Sequence, residues 1–119
     1  MAKSMLIISR QAPWAGPGAR EALDIALAGG AFDLPLAMLF LDDGVLQLLD
    51  GQAPAALQQK NLGANLQALP MFGVDALYVA AADLAARGVS AGQLAIPAQA
   101  LDEAELRALL DRYDHVVTL

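Results

Sequence analysis

The run Leu34 to Leu41 (LPLAMLFL) stops at two adjacent acids, Asp42 and Asp43, and this junction constrains the fold more than any other stretch. A short apolar run bounded by turn residues reads as a strand buried on both faces, as in a parallel sheet. Such strands end at the carboxyl edge of the sheet, where ligand-binding crevices form. An acid pair there would ordinarily mark a metal or phosphate site. The chain instead continues through Gly44 into Val45, Leu46, Leu48 and Leu49, four apolar side chains in five positions. A turn that is apolar nearly all round must be buried on more than one side. In a chain of 119 residues the second side is expected to be a partner protein, which makes Val45, Leu46, Leu48 and Leu49 interface candidates.

The remaining segments alternate between strand-like and helix-like patterns. Met5 to Ser9 is another continuous apolar run and predicts a first strand. A helix is expected from about Ala19, burying Ala22, Leu23, Ala26 and Leu27, with Gly29 and Gly30 placed to end it. Pro35 to Leu41 is the second strand. Pro54 opens a longer helix to about Leu69, with Leu62, Leu66 and Leu69 on one face. Ala76 to Ala80 is a third strand, Asp83 to Arg87 a short helix closed by Gly88, and Leu94 to Ile96 a brief fourth strand ahead of Pro97. Asp102 is a good N-cap for a helix carrying Leu106, Leu109, Leu110 and Tyr113, and His115 to Thr118 is a last strand. Alternating strands and helices predict right-handed βαβ units. The expected fold is a three-layer α/β/α sandwich with a mostly parallel five-stranded sheet, formed by one domain over residues 1–119. The pattern leaves the strand order open.

Composition narrows the function. Hydrophobic residues make up 57% of the chain and charged residues only 17%, against about 45–50% and about 25% in typical soluble domains. Part of the surface is therefore apolar, as at interaction sites. A net charge of −6 with seven scattered basic residues lacks the clustered Lys and Arg that a phosphate backbone requires. Direct nucleic-acid binding is not expected. No segment reaches the roughly 20 apolar residues of a membrane span, and Lys3 precedes only the short run Met5 to Ile8, too brief for a secretory signal. The expected location is cytoplasmic. Cysteine is absent, so the chain has no thiol nucleophile, persulfide carrier, disulfide or thiolate metal site.

Other candidate chemistry is incomplete. Gly16-Pro17-Gly18 lies between the first strand and first helix, where phosphate loops occur, but it lacks the Gly-Lys-Ser/Thr ending and the full dinucleotide pattern. Asp42 and Asp43 with Asp83 have no lysine near the last strand to complete a receiver-type site, and capping of the Gly44 to Leu49 turn is the preferred reading. His115 is the only histidine and has no nucleophile to serve. Trp14, in a Pro/Gly-rich loop, is either a core lid or an interface anchor, and Phe72, in the break Pro70 to Gly73, is a further interface candidate. No catalytic, cofactor-binding or metal-binding residue is assigned.

Phe40 to Gln52 (FLDDGVLQLLDGQ) resembles the strand-and-turn signature of the TusC type of sulfur relay subunit, in the wider DsrE/DsrF/DsrH family. Ser9 to Ala28, Leu77 to Gly88 (LYVAAADLAARG) and Tyr113 to Leu119 (YDHVVTL) fit the same pattern in the same order. The resemblance implies a non-catalytic subunit without cofactor. Its implied partners are TusB-like and TusD-like subunits in a dimer of heterotrimers, with TusA and TusE acting indirectly. In the sulfur-carrying TusD type a cysteine follows the third strand, and the matching position here is Ala80. The implied role is support of persulfide transfer towards 2-thiolation of the tRNA wobble uridine. A DsrF-like role in dissimilatory sulfur oxidation is the near alternative, and a stand-alone nucleotide- or phosphate-binding α/β domain is the alternative from another class.

Overall fold

A computed structural model describes residues 4–12, 18–31, 35–48, 69, 74, 76–89 and 98–119. Strands β1 (Met5–Ser9), β2 (Leu36–Phe40), β3 (Ala76–Ala80), β4 (Gln99–Leu101) and β5 (His115–Thr118) form one sheet in the order β4-β3-β2-β1-β5. All neighbouring strands pair in parallel. The first four strands step in one direction across the sheet. The connection from β4 then returns to the opposite edge, so the direction of winding reverses between β1 and β5.

Side chains alternate between the two faces with period two. Ile7, Met38, Phe40, Leu77 and Val79 join a core with Ala22, Leu23 and Ala26 of helix α1 (Gly18–Ala31), Val45 and Leu48 of a 3-10 helix (Asp42–Leu48), and Leu84 of helix α2 (Ala81–Ala86). On the other face Leu6, Ile8, Ala37 and Leu39 pack with Leu101 and with Leu109 of helix α3 (Glu103–Arg112). The sheet is thus covered on both faces, which accounts for the uninterrupted apolar runs of β1 and β2.

Several expected boundaries shift. Helix α1 does not stop at Gly29 and Gly30 but continues to Ala31, and the missing side chain at Gly29 leaves room for Leu36 against the helix. The short helix begins at Ala81, two residues before the expected Asp83. It closes with Gly88 at φ +68, Gly88 N–H donating to Ala85 O and Val89 N–H to Leu84 O at 3.1 and 2.9 Å, the paired bonds of a Schellman ending. The fourth strand is Gln99–Leu101, beyond Pro97, while Leu94 to Ile96 lie outside the described residues. Asp102 caps α3 with a full capping box, its carboxylate accepting from Glu105 N–H at 2.8 Å while Glu105 accepts from Asp102 N–H at 3.0 Å. The helix expected over Pro54 to Leu69 falls outside the described residues except for Leu69, which is fully buried.

Tyr113, just after α3, packs with Tyr78 against the second core cluster. Burial first, and Tyr78 second, push its phenol above the ordinary 10.0. A group whose pKa is raised on folding contributes stability that is complete below its unfolded value and is lost as pH rises through the folded one. The thermal midpoint should therefore fall as pH climbs above 10.0, and Tyr113→Phe should flatten that decline. An alkaline limb unchanged by the substitution would contradict the coupling.

Candidate functional site at the carboxyl edge of the sheet

The carboxyl ends of β1, β2 and β3 meet around the acid pair. Asp42 takes a left-handed backbone at φ 52, a region that aspartate tolerates better than most residues. Asp83 at the start of α2 holds this turn, its Oδ2 accepting from Asp42 N–H at 2.8 Å. Arg10, just past β1, donates from Nε to Asp42 Oδ2 at 2.7 Å, with Nη2 at 2.6 Å. Arg87 donates from Nε to Asp43 Oδ1 at 2.9 Å and from Nη1 to the Asp83 carbonyl at 3.1 Å. Each of the three carboxylates is thus engaged with an arginine or a backbone N–H.

Groups so occupied are poorly placed to bind a hard cation, which needs several free oxygen ligands. Among the described residues no cluster of His, Cys, Asp or Glu has the arrangement of a metal site. The acids therefore fix the strand ends, though by ion pairing and by support of the Asp42 backbone rather than by a side-chain cap on the 3-10 helix among the described residues.

Behind the ion pairs lies a buried polar contact that the sequence did not announce. Gln47 and Ser9 are 1% and 0% exposed, and Gln47 Nε2 donates to Ser9 Oγ at 2.7 Å and to the Gln11 carbonyl at 2.9 Å. Gln47 Oε1 has no hydrogen-bond partner. A glutamine amide is not a base, so the Ser9 hydroxyl has no activating group there. The one available signal was a polar residue placed among the leucines of the turn. Gly44 permits this packing, because any side chain there would collide with the Ser9 carbonyl.

The apolar turn is buried by its own chain. Val45 and Leu48 are fully buried in the first core cluster, so their burial requires no partner. Leu46 is half-buried and packs at the margin of that cluster, which leaves it as the described residue of this turn with surface to offer. Leu49, Trp14 and Phe72 lie outside the described residues. Gly18 N–H is taken by Gln11 Oε1 at 3.1 Å, so one donor of the proposed phosphate loop is occupied, while Gly16 and Pro17 are not described. His115 is exposed at the start of β5, an edge strand. Ala80 ends β3, is 2% exposed, and occupies the N-cap position of α2.

Comparison with known proteins adds to this geometry. The model of the DsrE/DsrF-like family matches residues 3–119. A protein named Protein TusC homolog from Pseudomonas aeruginosa is 67% identical over 119 residues, which is 100% of each chain. A second Protein TusC homolog, from Vibrio parahaemolyticus, is 32% identical over 103 residues, covering 87% of each chain. The crystal structure of the ychN protein from E. coli superposes with a TM-score of 0.76 over 100% of both chains at 22% identity, a likeness of fold. Among the described residues no helix is long and apolar enough to cross a membrane.

Proposed function

The chain belongs to the DsrE/DsrF-like family, and from that premise we propose that it is the cysteine-free supporting subunit of a sulfur relay complex. The observation that carries this reading is its full-length 67% identity to a protein named Protein TusC homolog. The chain has no cysteine, and a persulfide relay needs a thiolate at each carrier. Its contribution is therefore structural: it joins TusB-like and TusD-like subunits, as a dimer of heterotrimers, and holds the carrier cysteine of another subunit in place. The sulfur passes from a TusA-like donor to a TusE-like acceptor and on towards 2-thiolation of the tRNA wobble uridine. The assembly is cytoplasmic and this subunit does not itself touch the tRNA, in keeping with its net charge of −6.

The closed state of the carboxyl edge supports the same reading. Its carboxylates are engaged and its buried serine has no base, which leaves a scaffold rather than a reaction centre. Co-expression with TusB-like and TusD-like chains from the same genome is expected to yield one complex containing all three, while omission of this chain reduces recovery of the others as a complex. Elution of this chain apart from both, with the remaining pair intact, overturns the proposal. Association instead with subunits encoded beside a sulfite reductase would assign it to the DsrF-like role in sulfur oxidation.

A further inference from the structure

On the sheet face opposite α1, strands β3 and β4 and helix α3 enclose a groove of about 210 Å³ lined by Tyr78, Gln99, Leu101, Glu105, Ala108 and Arg112. Register places it there: Tyr78 pairs with Gln99 and Ala80 with Leu101, so alternate residues of two strands reach one face. Glu105, Ala108 and Arg112, at i, i+3 and i+7, supply the helix side. Leu101 is buried and forms an apolar floor.

Arg112, the cation of this groove, is not paired with a carboxylate among the described residues. Among the described residues Arg10, Arg20, Arg87 and Arg107 each pair with a carboxylate, at 2.6, 3.1, 2.9 and 2.6 Å. Arg112 has no such pair. Tyr78 brings a phenol to the same opening. Glu105 is turned to the capping box at the start of α3, its Oε1 accepting from Asp102 N–H. A guanidinium, a phenol and the Gln99 amide line one opening, and a carboxylate suits the fork of arginine best.

We propose that this groove receives the carboxylate of an acidic side chain presented by a partner protein, with Arg112, Tyr78 and Gln99 as donors. Its size favours a side chain over a free ligand, since about 210 Å³ lies below the roughly 300–1,000 Å³ of small-molecule pockets. The open rim, where Gln99, Glu105, Ala108 and Arg112 are all exposed, admits a flanking backbone. This site is independent of the sulfur relay reading and lies on the opposite face of the sheet from the 3-10 helix.

The test follows the Leu101 and Ala108 methyl resonances of the full chain, in its co-purified complex where one forms. The probes are a blocked Gly-Glu-Gly tripeptide, its Gly-Gln-Gly counterpart and sodium acetate. The glutamate peptide should shift both methyls saturably, and the glutamine peptide should not. Arg112→Gln should weaken that binding by about tenfold or more, the loss expected when a charged hydrogen-bonding partner is removed, and Tyr78→Phe should weaken it less. Both variants are checked by circular dichroism, so that loss of fold is separated from loss of binding. Absence of shifts, equal shifts with the glutamine peptide, or unchanged affinity in folded Arg112→Gln overturns the proposal. Saturation by acetate at no higher concentration than the peptide overturns the protein-borne source and makes a free carboxylate the ligand.

Discussion

Leu48→Asp is expected to prevent the chain from folding, whereas Leu46→Asp, two residues away, is expected to leave it folded and weaken its assembly. Leu48 is fully buried in the core cluster shared by α1, β2 and β3. An aspartate there finds no cation or donor set, and a buried unpaired charge is among the costliest single changes. A loss above about 4 kcal/mol is comparable to the lower end of the roughly 5–15 kcal/mol that folded domains hold. Leu46 is half-buried, so a charge at its position keeps water contact and should lower the thermal midpoint by only a few degrees. If Leu46 meets a partner, the same charge becomes desolvated in the complex and co-purification is lost. Circular dichroism melts and pull-downs on both variants decide the matter. A native-like melt for Leu48→Asp would remove Leu48 from the core, and an intact pull-down for Leu46→Asp would remove Leu46 from the interface.

The contrast between these leucines marks the limit of what could be read from sequence. A turn with four apolar residues had to be buried, but the covering surface depends on where β1 and α2 come to rest. Elements with strong local signals were legible: β3 and β5 coincide with their expected ranges, and Asp102 caps α3 as its sequence required. Strand β4 was not read from the sequence because it is three residues long with Gln99 and Ala100 exposed, so no apolar run announces it; the strand expected over Leu94 to Ile96 lies outside the described residues. Helix α1 outran its two glycines because packing against β2 outweighs a propensity cost of about 1 kcal/mol per glycine. The site suffered most from distance. Gln47 meets Ser9 across 38 positions, and Asp83 meets Asp42 across 41, pairings fixed by the parallel register of the strands. Arg112 looked like an ordinary basic residue in a last helical turn until the other described arginines proved to be paired.

In the assembled complex, labelled sulfur supplied through a persulfide donor should leave this chain unlabelled while the cysteine-bearing subunit carries it. The chain lacks every thiol on which a persulfide forms, so the expected difference is all or none. Placing a thiol at Ala80, the position that the resemblance matches to the carrier cysteine, should not change this. In Ala80→Cys the new side chain sits where Ala80 is 2% exposed, which keeps a thiol out of reach of an incoming persulfide. The Asp42–Asp83 hydrogen bond and the Arg87–Asp43 pair tie the turn after β2 to α2, which opposes the opening that access would demand. Mass measurement of separated subunits after labelling, for wild type and Ala80→Cys, provides the readout, with iodoacetamide alkylation under native and denaturing conditions as a check on burial. Label on the wild-type chain would require chemistry outside thiol exchange and would end the supporting-subunit reading. Ready labelling of folded Ala80→Cys would instead show a carrier site kept open in a chain without the carrier.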